Sequence, residues 1–419
     1  MTVKRALVIL LALLLVAGAA VATYVVRKQR ASRDVRGSAS VEFVTTAEPE
    51  PRPPAKAEGI VWPMYGFDGR RSRVAPGRLR PPFRAVWRFG ARNLIEFPPA
   101  LAYGRLYFAN NSGVLYAVGA RRGARAWRYR SGRCVASSPA VSGQLVFQTF
   151  LNRPPCNAEG SRLTGELVAF YACSGRVRWR QRMAPTESSP LISQGRVLVG
   201  DWRGSVYAFN ASSGKLRWRF RSKGKIKGAL AYAGGRVYFG SYDHHVYALR
   251  ARDGRLVWRA QAQDRLGSRG NFYSTPAVAY GRVYIGSTDG KVYSFGAGSG
   301  KLRWSHGTGG YVYGSPAVWR GAVYVGSYDK NFYALDAATG EERWRFRANG
   351  PISGSATVLA GVVYFSTLER RTYALDARTG RELWRFGDGK YTPLVTDGKR
   401  VYLVGYARVF GMVATVPPR

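Results

Sequence analysis

Acidic side chains, cysteines and histidines are all scarce in this 419-residue chain: 24 Asp and Glu stand against 65 Lys and Arg, with three Cys and three His. Each scarcity excludes a chemistry. A calcium cage needs several oxygen ligands, and no Asp/Glu/Asn cluster suggests one. The cysteines Cys134, Cys156 and Cys173 form no CxxC and no CxxCH, so thioredoxin-like, zinc-ribbon and covalent haem signatures are missing. Of the histidines, His244 and His245 are adjacent in a turn and His306 is isolated. Neighbouring strand residues point apart, so this pair reads as turn surface rather than a metal site. No amphipathic helical pattern of useful length follows residue 30, which excludes a helix-layered fold. RRM, KH and zinc-finger signatures are also absent, which weighs against nucleic acid as the partner.

What is present begins with an address. An uncharged run from Ala6 to Val26 lies between Lys4-Arg5 and Arg27-Lys28. At about 1.5 Å per residue it spans roughly 30 Å, the thickness of a hydrocarbon core. It exceeds the usual apolar stretch of a cleaved signal, although small-residue sites occur at Ala17-Gly18-Ala19 and Ala20-Val21-Ala22. The reading is a signal anchor after a short cytoplasmic tail, residues 1–5, with an extracytoplasmic body. Both flanks are basic, so charge alone does not set orientation. Residues 27–61 include Pro49, Pro51, Pro53 and Pro54 and read as a Pro-rich stalk.

The body, residues 62–416, is a repeat. Tyr333–Gly340 reads YALDAATG and Tyr373–Gly380 reads YALDARTG, with looser copies ending at Gly123, Gly175, Gly214, Gly254 and Gly300. Four residues after each glycine stands a tryptophan: Trp127, Trp179, Trp218, Trp258, Trp304, Trp344 and Trp384. Upstream in each unit lies a second block, such as Ser315-Pro316-Ala317-Val318 followed by Val323-Tyr324-Val325-Gly326. Four short strands per period of about 40 residues is the signature of a propeller blade. The last unit lacks its Gly-xxx-Trp ending, and Phe83–Phe89, containing Trp87, supplies a matching strand from the other end of the chain. The expectation is an all-β, eight-bladed β-propeller closed by an N-terminal strand, preceded by one transmembrane helix, and monomeric. The eight tryptophans would dock blade against blade. All but Trp304 are followed by Arg, which alternation turns outward into a basic rim. Asp243, Asp289, Asp329 and Glu369 share one turn position and read as turn-bonding residues.

Two site expectations follow from loop faces. Loops entering the first strands and loops joining second to third strands lie on one face. Cys134 and Cys156 fall on that face, so they are paired as a disulfide, leaving Cys173 free. An oxidised bond also fits export. The same face collects Glu96, Glu187, Lys227, Arg269, Tyr273, Tyr313, Lys390 and Tyr391 near the axis as candidate ligand contacts.

The YALDAxTGxxxW block resembles the pyrroloquinoline-quinone-type (PQQ-like) β-propeller repeat, over roughly residues 62–413. Trp62-Pro63-Met64-Tyr65-Gly66-Phe67-Asp68 is similar to the segment that leads into such propellers. The resemblance implies three kinds of activity: quinoprotein dehydrogenases, BamB-like scaffold propellers and extracytoplasmic binding domains. The dehydrogenases resemble one another in an adjacent cysteine pair and a calcium set, and this chain has no Cys-Cys. The expected function is therefore a non-catalytic, membrane-anchored binding or scaffold propeller of the cell envelope, with no cofactor and no metal. Its partners would be envelope proteins or anionic polymers. The alternatives are a PQQ- and calcium-dependent dehydrogenase, and a polyanion binder using the basic rim at net charge +41.

Overall fold

The computed structural model describes residues 3–45, 59–158, 160, 162–267, 269–391 and 394–415. The Pro-rich stretch 47–54 lies outside the described residues. One helix, α1 (Val3–Ala31), is followed by β-structure throughout. Its segment Leu7–Ala31 is long and apolar enough to cross a membrane, and none of that window is buried against the body.

Eight antiparallel sheets surround one axis. Blades 1 to 7 are residues 100–130, 140–183, 191–221, 231–261, 277–307, 317–347 and 357–386, and blade 8 is residues 394–414. Every second residue of each middle strand is apolar and buried between neighbouring sheets, as in Val323, Val325, Phe332 and Ala334. That alternation is what a sheet packed face to face on its neighbours requires. Three strands precede blade 1: β1 (Ile60–Trp62), β2 (Val74–Ala75) and β3 (Phe83–Gly90). β3 pairs antiparallel with Arg408–Ala414 over seven registered pairs and becomes the outer strand of blade 8. The ring is thereby closed, and blade 8 has four strands like the others.

Adjacent blades are joined by the two ends of the repeated motif. The tryptophan of one blade lies on the glycine of the next. At Gly340 (φ +79°) an added Cβ would stand 2.7 Å from Trp304, and the same holds for Gly123 with Trp87 and Gly380 with Trp344, at 2.6 and 2.7 Å. Each indole Nε1–H also donates to an alanine carbonyl of that next blade. Trp87, Trp127, Trp179, Trp218, Trp258, Trp304 and Trp344 do so at 2.9–3.2 Å. Trp384 differs because blade 8 lacks the glycine motif, and it meets Phe83 of the closing strand edge-on at 5.6 Å.

Residues 59–75 seal one end of the axis. Their carbonyls accept inner-strand amides of blades 2, 4, 5, 6 and 7: Pro63 from Val141, Gly69 from Tyr232, Arg70 from Val278, Ser72 from Val318 and Arg73 from Val358. β1 adds to blade 1 and β2 adds parallel to blade 7. A further departure from expectation concerns the stalk. Residues 32–44 are not a free tether: they run along blades 5 and 6, with Val35 bridged to Ser305 and Val44 N–H bonded to Tyr280 O. The stretch carries backbone carbonyls that Arg282 can reach and a glutamate that Arg303 can reach, so docking satisfies both arginines.

Candidate functional site

At the end of the axis opposite the seal, the segments entering the inner strands form a belt of hydroxyls. Ser189 Oγ accepts from Ser138 N–H, Thr275 Oγ1 from Ala229 N–H, Ser315 Oγ from Thr275 N–H and Ser355 Oγ from Ser315 N–H, at 2.9–3.0 Å. This explains the Ser/Thr-Pro-Ala block: the hydroxyl joins one blade to the last, and proline fixes the turn into the strand. Tyr65, from the sealing segment, stands beneath the belt with its hydroxyl 3.3 Å from Ser315 and 2.5 Å from Ser355. Arg73 lies over the Tyr65 ring at 4.6 Å. Burial alone would raise the Tyr65 pKa, but Arg73 and the two serines outweigh it and hold it below the ordinary tyrosine value.

Above Tyr65 is a cavity of about 50 Å³, lined among others by Glu96, Glu187, Lys227, Tyr273, Tyr313 and Tyr391. A water needs roughly 10–15 Å³ on this measure, so there is room for a few waters or one small polar group. Two of its ionic groups, Glu187 and Lys227, satisfy each other. Lys227 Nζ is 3.0 Å from Glu187 Oε1, and the Tyr273 hydroxyl donates to Glu187 Oε2 at 3.0 Å. The same ammonium lies 4.6 Å from the Trp202 ring, with Tyr242 and Tyr273 at 5.7 and 5.8 Å. Glu96 is more isolated: burial, then the Glu187 charge, pushes its pKa up to about 7. Burial and the two glutamates likewise drive Tyr273 well above the usual range.

Six of the eight residues expected at this face therefore line one cavity. Lys390 stands beside it, 5.5 Å from the Tyr391 ring and 5.2 Å from that of Tyr406. Arg269 does not join them. It turns away to Asp264 at 3.2 Å, where a carboxylate is within reach. Sequence reasoning missed Tyr65, Arg73 and the hydroxyl belt. The signal available was the lead-in segment itself, whose partners are supplied by blades far away in sequence.

Cys134 and Cys156 are disulfide-bonded and Cys173 is a free, exposed thiol. The bond pins the 152–164 insertion beside the cavity, where Cys134 packs with Leu151, Phe97 and Trp202. Asp243, Asp289 and Asp329 accept turn amides and the hydroxyls of Tyr247, Tyr293 and Tyr333 at 2.6–2.7 Å. Glu369 does not share this role. In blade 7 Asn349 Oδ1 accepts from Tyr373 and Thr367 instead, because the longer Glu369 side chain packs over Gly350. His244 takes a left-handed turn conformation and His245 contacts Asp243.

The cavity does not fit a calcium–quinone pair. Among the described residues no three His, Cys, Asp or Glu are grouped to hold a metal. Of its two carboxylates, Glu187 is neutralised by Lys227 and burial pushes the Glu96 pKa up to about 7, which disfavours its charged form, whereas calcium requires six to eight oxygens, preferably charged.

Eight four-stranded blades, sealed at one end and carrying a small polar cavity at the other, define a closed PQQ-like β-propeller. The chain belongs to the family described as outer membrane protein assembly factor BamB, whose pattern matches residues 163–311 and 305–412. Among solved structures it is similar to BamB from Moraxella catarrhalis, at 19% identity and TM-score 0.63, covering 81% of this chain and 100% of that one. It is similar to a europium-containing methanol dehydrogenase at 14% identity and TM-score 0.71, covering 85% and 98%. The quinohemoprotein alcohol dehydrogenase from Comamonas testosteroni gives 15% identity and TM-score 0.68, covering 85% and 81%. At these identities the likeness is one of fold. No curated protein matches the sequence.

Proposed function

We propose that the protein is a non-catalytic, membrane-anchored scaffold propeller of the cell envelope, whose body lies outside the cytoplasm and binds other envelope proteins. The observation that carries this reading is the internal neutrality of the axial cavity. Glu187, Lys227 and Tyr273 complete one another, which leaves Glu96 as the cavity's one carboxylate without an ion-pair partner and no metal-ligand group among the described residues. Family membership supports the scaffold role, α1 supports anchorage, and the Cys134–Cys156 bond supports an oxidising compartment.

The test is calorimetric titration of the detergent-solubilised full chain with PQQ in calcium buffer, beside affinity capture from cross-linked membranes. The expected results are no saturable heat and recovery of membrane-protein partners. Tight saturable binding of PQQ would overturn the reading and make the cavity a cofactor site.

A second reading, binding of an anionic polymer, is favoured by one observation. The rim charge is uneven. On blades 2 and 3 the exposed Arg178, Arg180, Arg182, Arg217, Arg219 and Arg221 project from the outer strands. Of these only Arg180 comes within ion-pair distance of a carboxylate, Glu166 at 3.9 Å, among the described residues. On blades 6 and 7 the equivalent arginines have partners: Arg345 with Glu342 at 3.2 Å and Arg385 with Glu382 at 2.5 Å. Polyphosphate binding that weakens steeply with salt, and is lost in Arg180→Gln/Arg219→Gln, would support it. Binding indifferent to salt would reject it.

A further inference from the structure

The end of α1 is fastened to one particular face. Lys28 Nζ pairs with Asp264 at 2.5 Å, and Gln263 Nε2 donates to the carbonyls of Ala31 and Arg33 at 3.3 and 2.9 Å. Asp34 then takes Lys291 Nζ at 2.9 Å and the Gly307 amide at 2.9 Å. Gln263 and Asp264 belong to the loop joining blades 4 and 5, on the face that carries the cavity mouth. From there residues 35–44 descend the outside of the body. Gly37 N–H bonds to Thr339 O, the Arg282 guanidinium holds the carbonyls of Ser38 and Val41 at 2.7 Å, and Phe43 stacks on Tyr280 at 5.0 Å. Thr339 and Tyr280 lie in turns of the opposite face. Residues 34–37 run beside the outer strand Leu302–Gly307, from the Gly307 amide to the Thr339 carbonyl, and residues 39–42 then turn against the opposite face. The helix therefore departs from the side of the cavity mouth, and the chain passes to the sealed side only afterwards.

We propose that the cavity-mouth face of the propeller lies against the bilayer, on a surface of anionic lipid headgroups. The proposal rests on the reading of α1 as a membrane anchor. Two features of the face suit that surface. Its exposed large apolar residues among those described, Leu266 (45%) and Tyr311 (51%), lie in the two loops flanking the helix exit. Its accessible charge is mainly basic: Lys223, Lys330, Arg370 and Lys390, beside Arg27, Arg30 and Arg33 at the helix end. The acidic groups Asp243, Asp264, Asp289 and Asp329 on the same face are engaged by turn amides, tyrosine hydroxyls or Lys28, and Glu369 alone among the turn acids is exposed. Basic residues within a Debye length of an anionic leaflet are drawn to it, and an interfacial Tyr and Leu add apolar contact. A ligand of the axial cavity would then enter from the narrow layer between propeller and membrane, and a protein partner on this face would itself be membrane-embedded.

The experiment uses the full chain carrying Cys173→Ser, with Leu266→Cys, Tyr311→Cys or, on the opposite face, Ser213→Cys as the single labelled thiol. Each labelled protein is placed in vesicles of equal parts phosphatidylglycerol and phosphatidylcholine containing headgroup-spin-labelled lipid. The expected result is loss of fluorescence at 266 and 311 with 213 unchanged, and a smaller loss in phosphatidylcholine alone. Equal quenching at all three sites, or quenching at 213 only, overturns the orientation. Quenching at 266 and 311 that is independent of phosphatidylglycerol overturns the headgroup attraction. Flotation separates the two readings: a chain that fails to float with vesicles refutes the anchor itself, whereas one that floats without preferential quenching refutes this proposal alone.

Discussion

At Gly340 the positive φ and the nearness of Trp304 act together. A side chain there must both adopt the left-handed region and displace a fully buried indole. Gly340→Ala is expected to cost about 2 kcal/mol or more, since the backbone term alone is on the order of 1–2 kcal/mol. Trp304→Ala should cost about 3–5 kcal/mol through the cavity it leaves. Urea denaturation of both variants checks this, and a loss at Gly340 no larger than at Gly104, whose added Cβ would meet nothing, would refute the docking role. Glu96 carries a pH signature. Its pKa rises from 4.5 to about 7 on folding, so the native state holds a proton that the unfolded chain releases. Stability must fall as pH rises from about 4.5 to about 7, by on the order of 3 kcal/mol if nothing else titrates. Glu96→Gln should remove that fall, and parallel wild-type and variant stabilities at pH 5 and pH 8 would contradict it.

Among the elements, the 152–164 insertion is held by the Cys134–Cys156 bond and by Arg133, which donates to the Thr164 carbonyl at 2.5 Å and pairs with Glu166 just beyond it at 3.1 Å. Closing a loop of 22 residues stabilises by about 3 kcal/mol in the chain-entropy account. Cys134→Ser/Cys156→Ser should lower the unfolding free energy by that amount. Alkylation of the folded, unreduced protein should mark one thiol, Cys173, and marking of three would refute the bond. The sealing segment 59–75 is a second element whose role rests on backbone bonds to at least five blades, which no local sequence rule encodes.

For the whole molecule the decisive contact is β3 on blade 8. Removing it leaves Arg408–Ala414 as an unpaired edge and deprives Gly123 of Trp87. A chain beginning at residue 91 is therefore expected to associate through that edge, visible as oligomers in light scattering. A monomer of unchanged stability would show that closure is dispensable. Orientation belongs to this scale too, because the helix, the docked arm and the cavity mouth acquire a common direction only in the assembled ring.

Periodicity alone determined the blade count, the four strands per blade and the closing strand, because a repeat of buried alternation near 40 residues has few other ways to hide its edges. Loop topology also placed Cys134 beside Cys156 and six residues around the axis, since which face a blade loop occupies follows from strand order. Tertiary structure decided the rest. The two ends of one motif, Gly340 and Trp344, each bind a different neighbouring blade, and sequence spacing cannot reveal that. Trp304 lacks its arginine because Ser305 bonds Val35 of the docked arm at 3.0 Å. Arg269 pairs with Asp264 at 3.2 Å rather than lining the cavity. In each case the partner lies far away in the chain, and its position is set by the closed ring rather than by any neighbour in sequence.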